Sequence, residues 1–174
     1  MIISGNRITL KRVTEADLDF VCRVESDKEL WRYNSSVETD HEQLRKTFED
    51  RMRGDFAYDF VMRLGDPAGV AIGLVYIWNY IKERSSWELG YCVLPEYQQQ
   101  GFCTEALKLL LHFGFTDLKA HKIVAMCNEH NAPSYQVMEK VGMVREGVFR
   151  EEYLCSGQWV NQLFYCMLES EYGK

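Results

Sequence analysis

Short stretches in which apolar and polar residues alternate at every second position trade places along this chain with longer ones in which apolar residues recur every three or four. The first period suits a strand and the second a helix with one buried face. Residues 8–11 form a short strand. Residues 14–25 form a helix that opens on Thr14 as N-cap, with Asp17 three residues on in the place of a capping-box glutamate. A second helix covers 40–53, with Leu44 and Phe48 on one face. Three strands follow at 56–64, 69–78 and 86–94, and Gly65-Asp66-Pro67-Ala68 is the turn between the first two. Helix 104–118 buries Leu107, Leu110, Leu111 and Phe115. A strand at 122–127 leads to helix 132–141, which ends at Gly142, and strands around 147–154 and 159–167 flank the turn Ser156-Gly157. The pattern predicts an α/β fold: a mixed sheet with helices on both faces.

Composition makes this one domain. With 174 residues and 47% hydrophobic content the chain can bury a sizeable core, and no Pro/Gly/Ser-rich linker or low-complexity tract divides 1–174. No apolar run approaches the length of a membrane span, and the first residues lack a basic stretch followed by an apolar one and a cleavage site. The expectation is a soluble, cytoplasmic protein with no membrane partner. Six dispersed cysteines without a C-x-x-C pair read as small buried residues in a reducing compartment, and no histidine stands at zinc-site spacing, so no metal is expected. A formal net charge of −6 argues against a nucleic-acid surface, which needs a clustered basic face.

Candidate chemistry concentrates where the strand ending Cys92-Val93-Leu94 is stopped by Pro95 and a turn, Gln98-Gln99-Gln100-Gly101-Phe102-Cys103, feeds the long helix. Such a junction presents unpaired N–H groups in one direction with the positive end of the helix dipole behind them, an arrangement that holds phosphate or pyrophosphate. Gly101 lets the main chain approach a ligand closely or take a positive φ, and Thr104 lies where a helix cap would bind free amides or a phosphate oxygen. Neither G-x-x-x-x-G-K-[ST] nor G-x-G-x-x-G occurs in the chain.

The turn resembles the Q/R-x-x-G-x-G/A loop of the GNAT superfamily of acyl-CoA-dependent N-acyltransferases. Thr104-Glu105-Ala106-Leu107 resembles the T-E-A-L of its ribosomal-protein N-terminal acetyltransferase branch. Asn131-Ala132-Pro133-Ser134 and Glu139-Lys140-Val141-Gly142-Met143 match that branch's N-x-x-S and E-K-x-G-F, and Arg7-Ile8-Thr9-Leu10-Lys11-Arg12 is similar to its first strand. The likeness runs in order along nearly the whole chain. It implies the GNAT fold: a single mixed, mostly antiparallel sheet with a V-shaped split between two parallel central strands. It also implies acetyl-CoA as co-substrate, with Cys92 and Val93 giving main-chain contacts to the pantetheine arm, Gln99, Gln100, Gly101, Phe102, Cys103 and Thr104 holding the pyrophosphate, and Asn131 and Ser134 nearby. The activity it implies is direct acetyl transfer in a ternary complex to a primary amine, either a protein N-terminus or a small molecule such as a polyamine, amino acid or antibiotic. A catalytically silent acyl-CoA sensor is the alternative, and a homodimer is compatible with either.

Three side chains carry the expected chemistry. Within the resemblance, Ser134 protonates or hydrogen-bonds the leaving sulfur, or else it is a helix-entry cap or cofactor contact. Many GNAT enzymes have a tyrosine seven residues after the asparagine; here that position is Met138, which cannot give a proton and turns attention to Ser134 or Tyr135. Glu152 activates a water or the amine, or is one of two consecutive acids on a solvated strand. Glu88 faces away from Trp87, Leu89 and Tyr91, as a base or amine-binding group in the cleft or as a partner of Arg84 or Lys82. Cys103, at a helix N-terminus, is expected to have a lowered thiol pKa and so to be a nucleophile or redox switch, or else a small side chain beside the pyrophosphate. The four histidines form no triad or metal pattern. Trp31 and Tyr33 between the first two helices, with Tyr80 and its neighbours Tyr76 and Trp78, are the aromatic candidates for the acceptor groove. Asn161 stands where the family's last strand often carries an aspartate.

Overall fold

The computed structural model describes residues 1–173. Its elements are β1 (Ile2–Ser4), β2 (Ile8–Arg12), α1 (Leu18–Glu25), α2 (His41–Arg53), β3 (Ala57–Leu64), β4 (Ala71–Ile81), β5 (Ser86–Val93), α3 (Phe102–Thr116), β6 (Lys122–Asn128), α4 (Ala132–Lys140), β7 (Val144–Cys155) and β8 (Gln158–Leu168). The strands make one eight-stranded sheet in the order β1-β2-β3-β4-β5-β6-β8-β7. Every neighbouring pair is antiparallel except β5 and β6.

Strand alternation sorts the core onto two faces. Phe60 and Met62 of β3 and Val75 and Ile77 of β4 pack with Leu107, Leu110 and Leu111 of α3 and Met138 of α4. Their neighbours Val61, Leu74 and Tyr76 pack on the other side with Leu18, Val21 and Cys22 of α1 and Leu44 and Phe48 of α2. The period-2 and period-3.6 patterns thus meet as a sheet between two helical layers. The second layer stops short of β6 and β8, whose outer face holds a small separate cluster of Val124, Phe164 and Cys166.

Element boundaries follow the caps. The Thr14–Asp17 box forms, with Thr14 N–H donating to Asp17 Oδ2 at 3.1 Å, but it opens a 3-10 turn and the α-helix begins only at Leu18. Asp17 is also buried under Arg63, whose Nη2 lies 2.8 Å from Oδ1, and that pull toward the sheet tightens the first turn. Thr104 is not the cap of α3: that helix starts two residues earlier, and the N-cap is Gly101 in the left-handed region. The three-residue strand β1 pairs with β2 although it is too short to show a period of its own. Among the described residues no helix is long and apolar enough to cross a membrane.

Candidate active site

The parallel pair that breaks the antiparallel pattern also breaks itself. β5 and β6 are in register only at Ser86↔Lys122, Trp87↔Ile123 and Glu88↔Val124. Past Glu88 the two strands separate, while β5 stays laddered to β4 as far as Gly73↔Val93 and β6 to β8 as far as Asn128↔Gln162. The result is a V whose apex is Glu88, opening into a cleft of about 810 Å³. Leu94 N–H donates to Ile72 O at 2.9 Å. Antiparallel alternation then turns the main-chain groups of Cys92 toward β4 and those of Tyr91 and Val93 toward the open side. Of the two residues expected to pair with an extended ligand, Val93 therefore offers its backbone to the cleft and Cys92 does not. Gln98 Nε2 already donates to Val93 O at 2.9 Å.

The loop that follows is shaped by two left-handed residues, Gln99 at φ 60° and Gly101 at φ 82°. Left-handed Gly101 followed by the first right-handed residue of α3 makes consecutive amides converge, the geometry of an anion-binding nest. Among the described residues, no protein group accepts from the N–H groups of residues 99–104. Gln99, Gly101, Phe102, Cys103 and Thr104 line the cleft. Gln100 does not: its side-chain amide donates to Glu96 O at 2.9 Å and its carbonyl accepts from Arg7 Nη1 at 2.9 Å. Arg7 clamps the loop from outside, pairing with Glu105 at 3.0 Å and lying 4.8 Å from the Phe102 ring centroid. These free amides at the start of a 15-residue helix fit the diphosphate of coenzyme A. A Cβ on Gly101 would sit 3.2 Å from Arg7 Nη2 on a backbone that L-residues rarely adopt. Gly101→Ala is expected to leave the protein folded and to weaken coenzyme A binding about tenfold, in line with ~1–2 kcal/mol of left-handed strain, as measured by titration calorimetry.

Cys103 reverses the sequence expectation. Burial pushes its thiol up to about 12, the opposite direction from the lowering expected at a helix N-terminus, which favours a small side chain beside the loop over a thiolate. None of the six cysteines is in a disulfide. Among the described residues no group of His, Cys, Asp and Glu is arranged to hold a metal ion.

Across the V, α4 brings Asn131 and Ser134 to the cleft. Asn131 occupies the N-cap position but caps with its carbonyl, which accepts from Ser134 N–H at 3.0 Å, so Ser134 is not a cap. The Ser134 hydroxyl lies 2.9 Å from Tyr91 Oη. Met138 is 1% exposed in the core, and Tyr135 packs against that core and not into the cleft.

At the apex Glu88 is partly buried and lines the cleft. Desolvation pushes its carboxyl up to about 7, partly offset by a hydrogen bond from Trp78, its cross-strand partner on β4. No ion pair among the described residues involves Glu88, so the pairing with Arg84 or Lys82 does not occur. Gly90 makes room for the indole: a Cβ there would meet Trp78 Cζ3 at 3.2 Å.

The mouth of the cleft is framed by Trp31, Tyr33, Glu152 and Tyr153. Glu152 is exposed, yet it lines this mouth. Tyr33 O accepts from Asn128 Nδ2 and from Tyr153 Oη, each at 3.1 Å, which ties the loop after α1 to β6 and β7. Tyr80 is a correction. β4 runs past the apex pair Trp78↔Glu88, and Tyr80 lies beyond it toward the closed end of the V, 39% exposed with its ring 6.2 Å from that of Phe164. Tyr76 is buried, its hydroxyl bonded to Glu25. Asn161 is a structural tie, donating from Nδ2 to Glu129 at 3.0 Å and accepting from Glu151 N–H at 2.8 Å. Tyr91, Asn128 and Tyr153 were missed as site residues. Tyr91 alternates with Leu89 and Val93 and so reads as core, and nothing local marks the other two.

Comparison with known proteins agrees with this geometry. An N-acetyltransferase of Bacillus subtilis strain 168, YnaD, is 32% identical over 173 residues, spanning 99% of each protein. The spermidine N(1)-acetyltransferase of Escherichia coli K12 is 26% identical over 97% of this chain and 90% of its own. Among solved structures, a GNAT-family acetyltransferase from Bacillus anthracis superposes with a TM-score of 0.85 at 29% identity, covering 98% of this chain and 100% of that one. Spermidine N-acetyltransferase from Vibrio cholerae, in complex with CoA and spermine, shares the fold with a TM-score of 0.88 at 24% identity over 98% and 100%. The family model described as the acetyltransferase (GNAT) domain matches residues 7–144, which include the V, the amide nest and the start of α4; the chain belongs to the GNAT acetyltransferase family.

Proposed function

We propose that this protein moves the acetyl group of acetyl-CoA to a primary amine by direct transfer in the cleft, with Glu88 as general base and Ser134 at the departing sulfur. The observation that carries the reading is Glu88 itself: a carboxylate without a cationic partner, at the point where the strands part, poised near pH 7. An amine enters as an ammonium, with a reference pKa near 8 for an α-amino group and about 10.4 for an alkyl amine, and must lose a proton before it can attack. Glu88 takes one proton from the ammonium and passes it to solvent, the C–N bond forms, Glu88 takes the second nitrogen proton as the C–S bond breaks, and the electron pair leaves on sulfur. Val93, the amides of residues 99–104 and Asn131 hold the cofactor so that thioester and amine meet in one cleft, which supplies much of the rate.

A small cationic amine is the acceptor the mouth favours. Carboxylates at Glu88 and Glu152 and the rings of Trp31 and Tyr153 line one cleft, and together they can attract a second positive centre. Two relatives named as spermidine acetyltransferases support the same class. A protein N-terminus, the acceptor of the ribosomal branch, also presents a lone amine but brings no second charge. Incubation with acetyl-CoA and a panel of diamines, polyamines, amino acids and N-terminal peptides, following free thiol, separates them. Release with polyamines and not with peptides is expected; release with peptides alone moves the acceptor to protein N-termini. Coenzyme A uptake with no release on any acceptor overturns transfer in favour of a silent sensor.

A further inference from the structure

Three polar groups converge on the cleft wall where α4 faces β5. Tyr91 Oη lies 2.9 Å from Ser134 Oγ and 3.0 Å from Ser134 O. Burial raises the Tyr91 phenol far above its ordinary range, so it keeps its proton at any working pH.

A phenol has one hydrogen, and a carbonyl can only accept. When the phenol proton points to Ser134 O, the serine hydroxyl must be the donor across the 2.9 Å contact, and its proton rests on Tyr91. When the phenol proton swings to Ser134 Oγ, the serine proton is released to point elsewhere. Ser134 O loses little in that exchange, because it sits in the first turn of α4 and faces the amide four residues on. Two arrangements of one proton pair therefore share the same heavy-atom positions, and negative charge beside the serine selects the second.

We propose that Tyr91 is the positioning residue that turns the Ser134 hydroxyl proton toward the sulfur of coenzyme A as charge develops there. The inference rests on the transfer reading only in placing that sulfur near Ser134. No proton leaves Tyr91: the departing thiolate is stabilised by a hydrogen bond from Ser134 and takes its proton from water after release. Met138 in α4 offers no hydroxyl, and among the described residues the phenol bonded to Ser134 comes from the strand.

The test needs no acceptor. The ultraviolet absorbance of the coenzyme A thiolate, titrated against pH while bound, reports the hydrogen bond directly. The bound thiol is expected to titrate about one pH unit lower in the wild-type protein than in Tyr91→Phe or Ser134→Ala. The double variant is expected to match the single ones, because both remove one interaction. In turnover with a working amine, Tyr91→Phe is expected to lower kcat about tenfold with little change in KM for acetyl-CoA, and to cost nothing further when Ser134 is already alanine. An unshifted thiol in Tyr91→Phe, or equal losses of kcat with and without Ser134, overturns the proposal. A thiol shift in a protein that acetylates no amine overturns the transfer reading and leaves this one standing; failure to bind coenzyme A overturns both.

Discussion

Replacing Glu88 with glutamine is expected to reduce kcat/KM for the amine by about 10²–10³-fold and to erase the acidic limb of its pH profile. The wild-type profile should rise with pH and level off above about 7, because only the ionised carboxylate accepts a proton and burial has moved its titration there. Stability should run the other way. The folded value of about 7 lies above the ordinary carboxylate value of 4.5. The contribution of Glu88 to stability is therefore fully present below about 4.5 and is lost as pH rises through 7. Glu88→Gln should accordingly match the wild type in thermal stability near pH 4 and exceed it near pH 8, while being far less active at pH 8. Steady-state kinetics across pH, with melting curves in the same buffers, test both signs. A variant that keeps activity within about threefold, acidic limb included, means another group removes the proton.

Asp59→Asn is expected to destabilise the protein by about 3 kcal/mol, a drop in Tm of about 10 °C, without touching the cleft directly. Asp59 is 3% exposed and takes two hydrogen bonds from Arg51, one of them 2.8 Å from Nε. The guanidinium lies among the rings of Phe48, Tyr76 and Trp78, at 5.6, 6.0 and 5.7 Å from their centroids. Asparagine keeps the shape and removes the charge, leaving a cation under the sheet with its main partner gone. Glu25 softens the loss. Its carboxyl, raised to about 7 chiefly by burial and bonded to Tyr76, is already attracted by Arg51 and can take over part of the pairing. Chemical denaturation at pH 7 measures the change; a loss below about 1 kcal/mol would mean that the pair is solvated like a surface bridge. Trp78 belongs both to this cluster and to the apex beside Glu88, so the same variant should also lower kcat while leaving coenzyme A binding unchanged.

What the chain revealed unfolded depended on range. The capping box at Thr14 and Asp17, the buried stripe of α3 and the turn at Ser156-Gly157 are decided within one or two turns of chain, and they formed as their spacing implied. The amide loop was legible for the same reason, since left-handed Gly101 and the helix start are local. Errors arose where a second element decides. Cys103 looked like an activated thiol until the packing around it raised the thiol. Tyr80 looked like a groove aromatic, but β4 carries it past the apex.

The order of residues by itself determined the elements, their two buried faces and the phosphate-type loop, because periodicity, caps and turn geometry are short-range properties of the backbone. Only the tertiary structure decided the chemistry. It ended β5–β6 pairing at Glu88, left that carboxylate partly buried and without a cationic partner among the described residues, and set Tyr91 against Ser134 from 43 residues away. The dielectric and the partners around a side chain come from distant segments, and no local pattern encodes them.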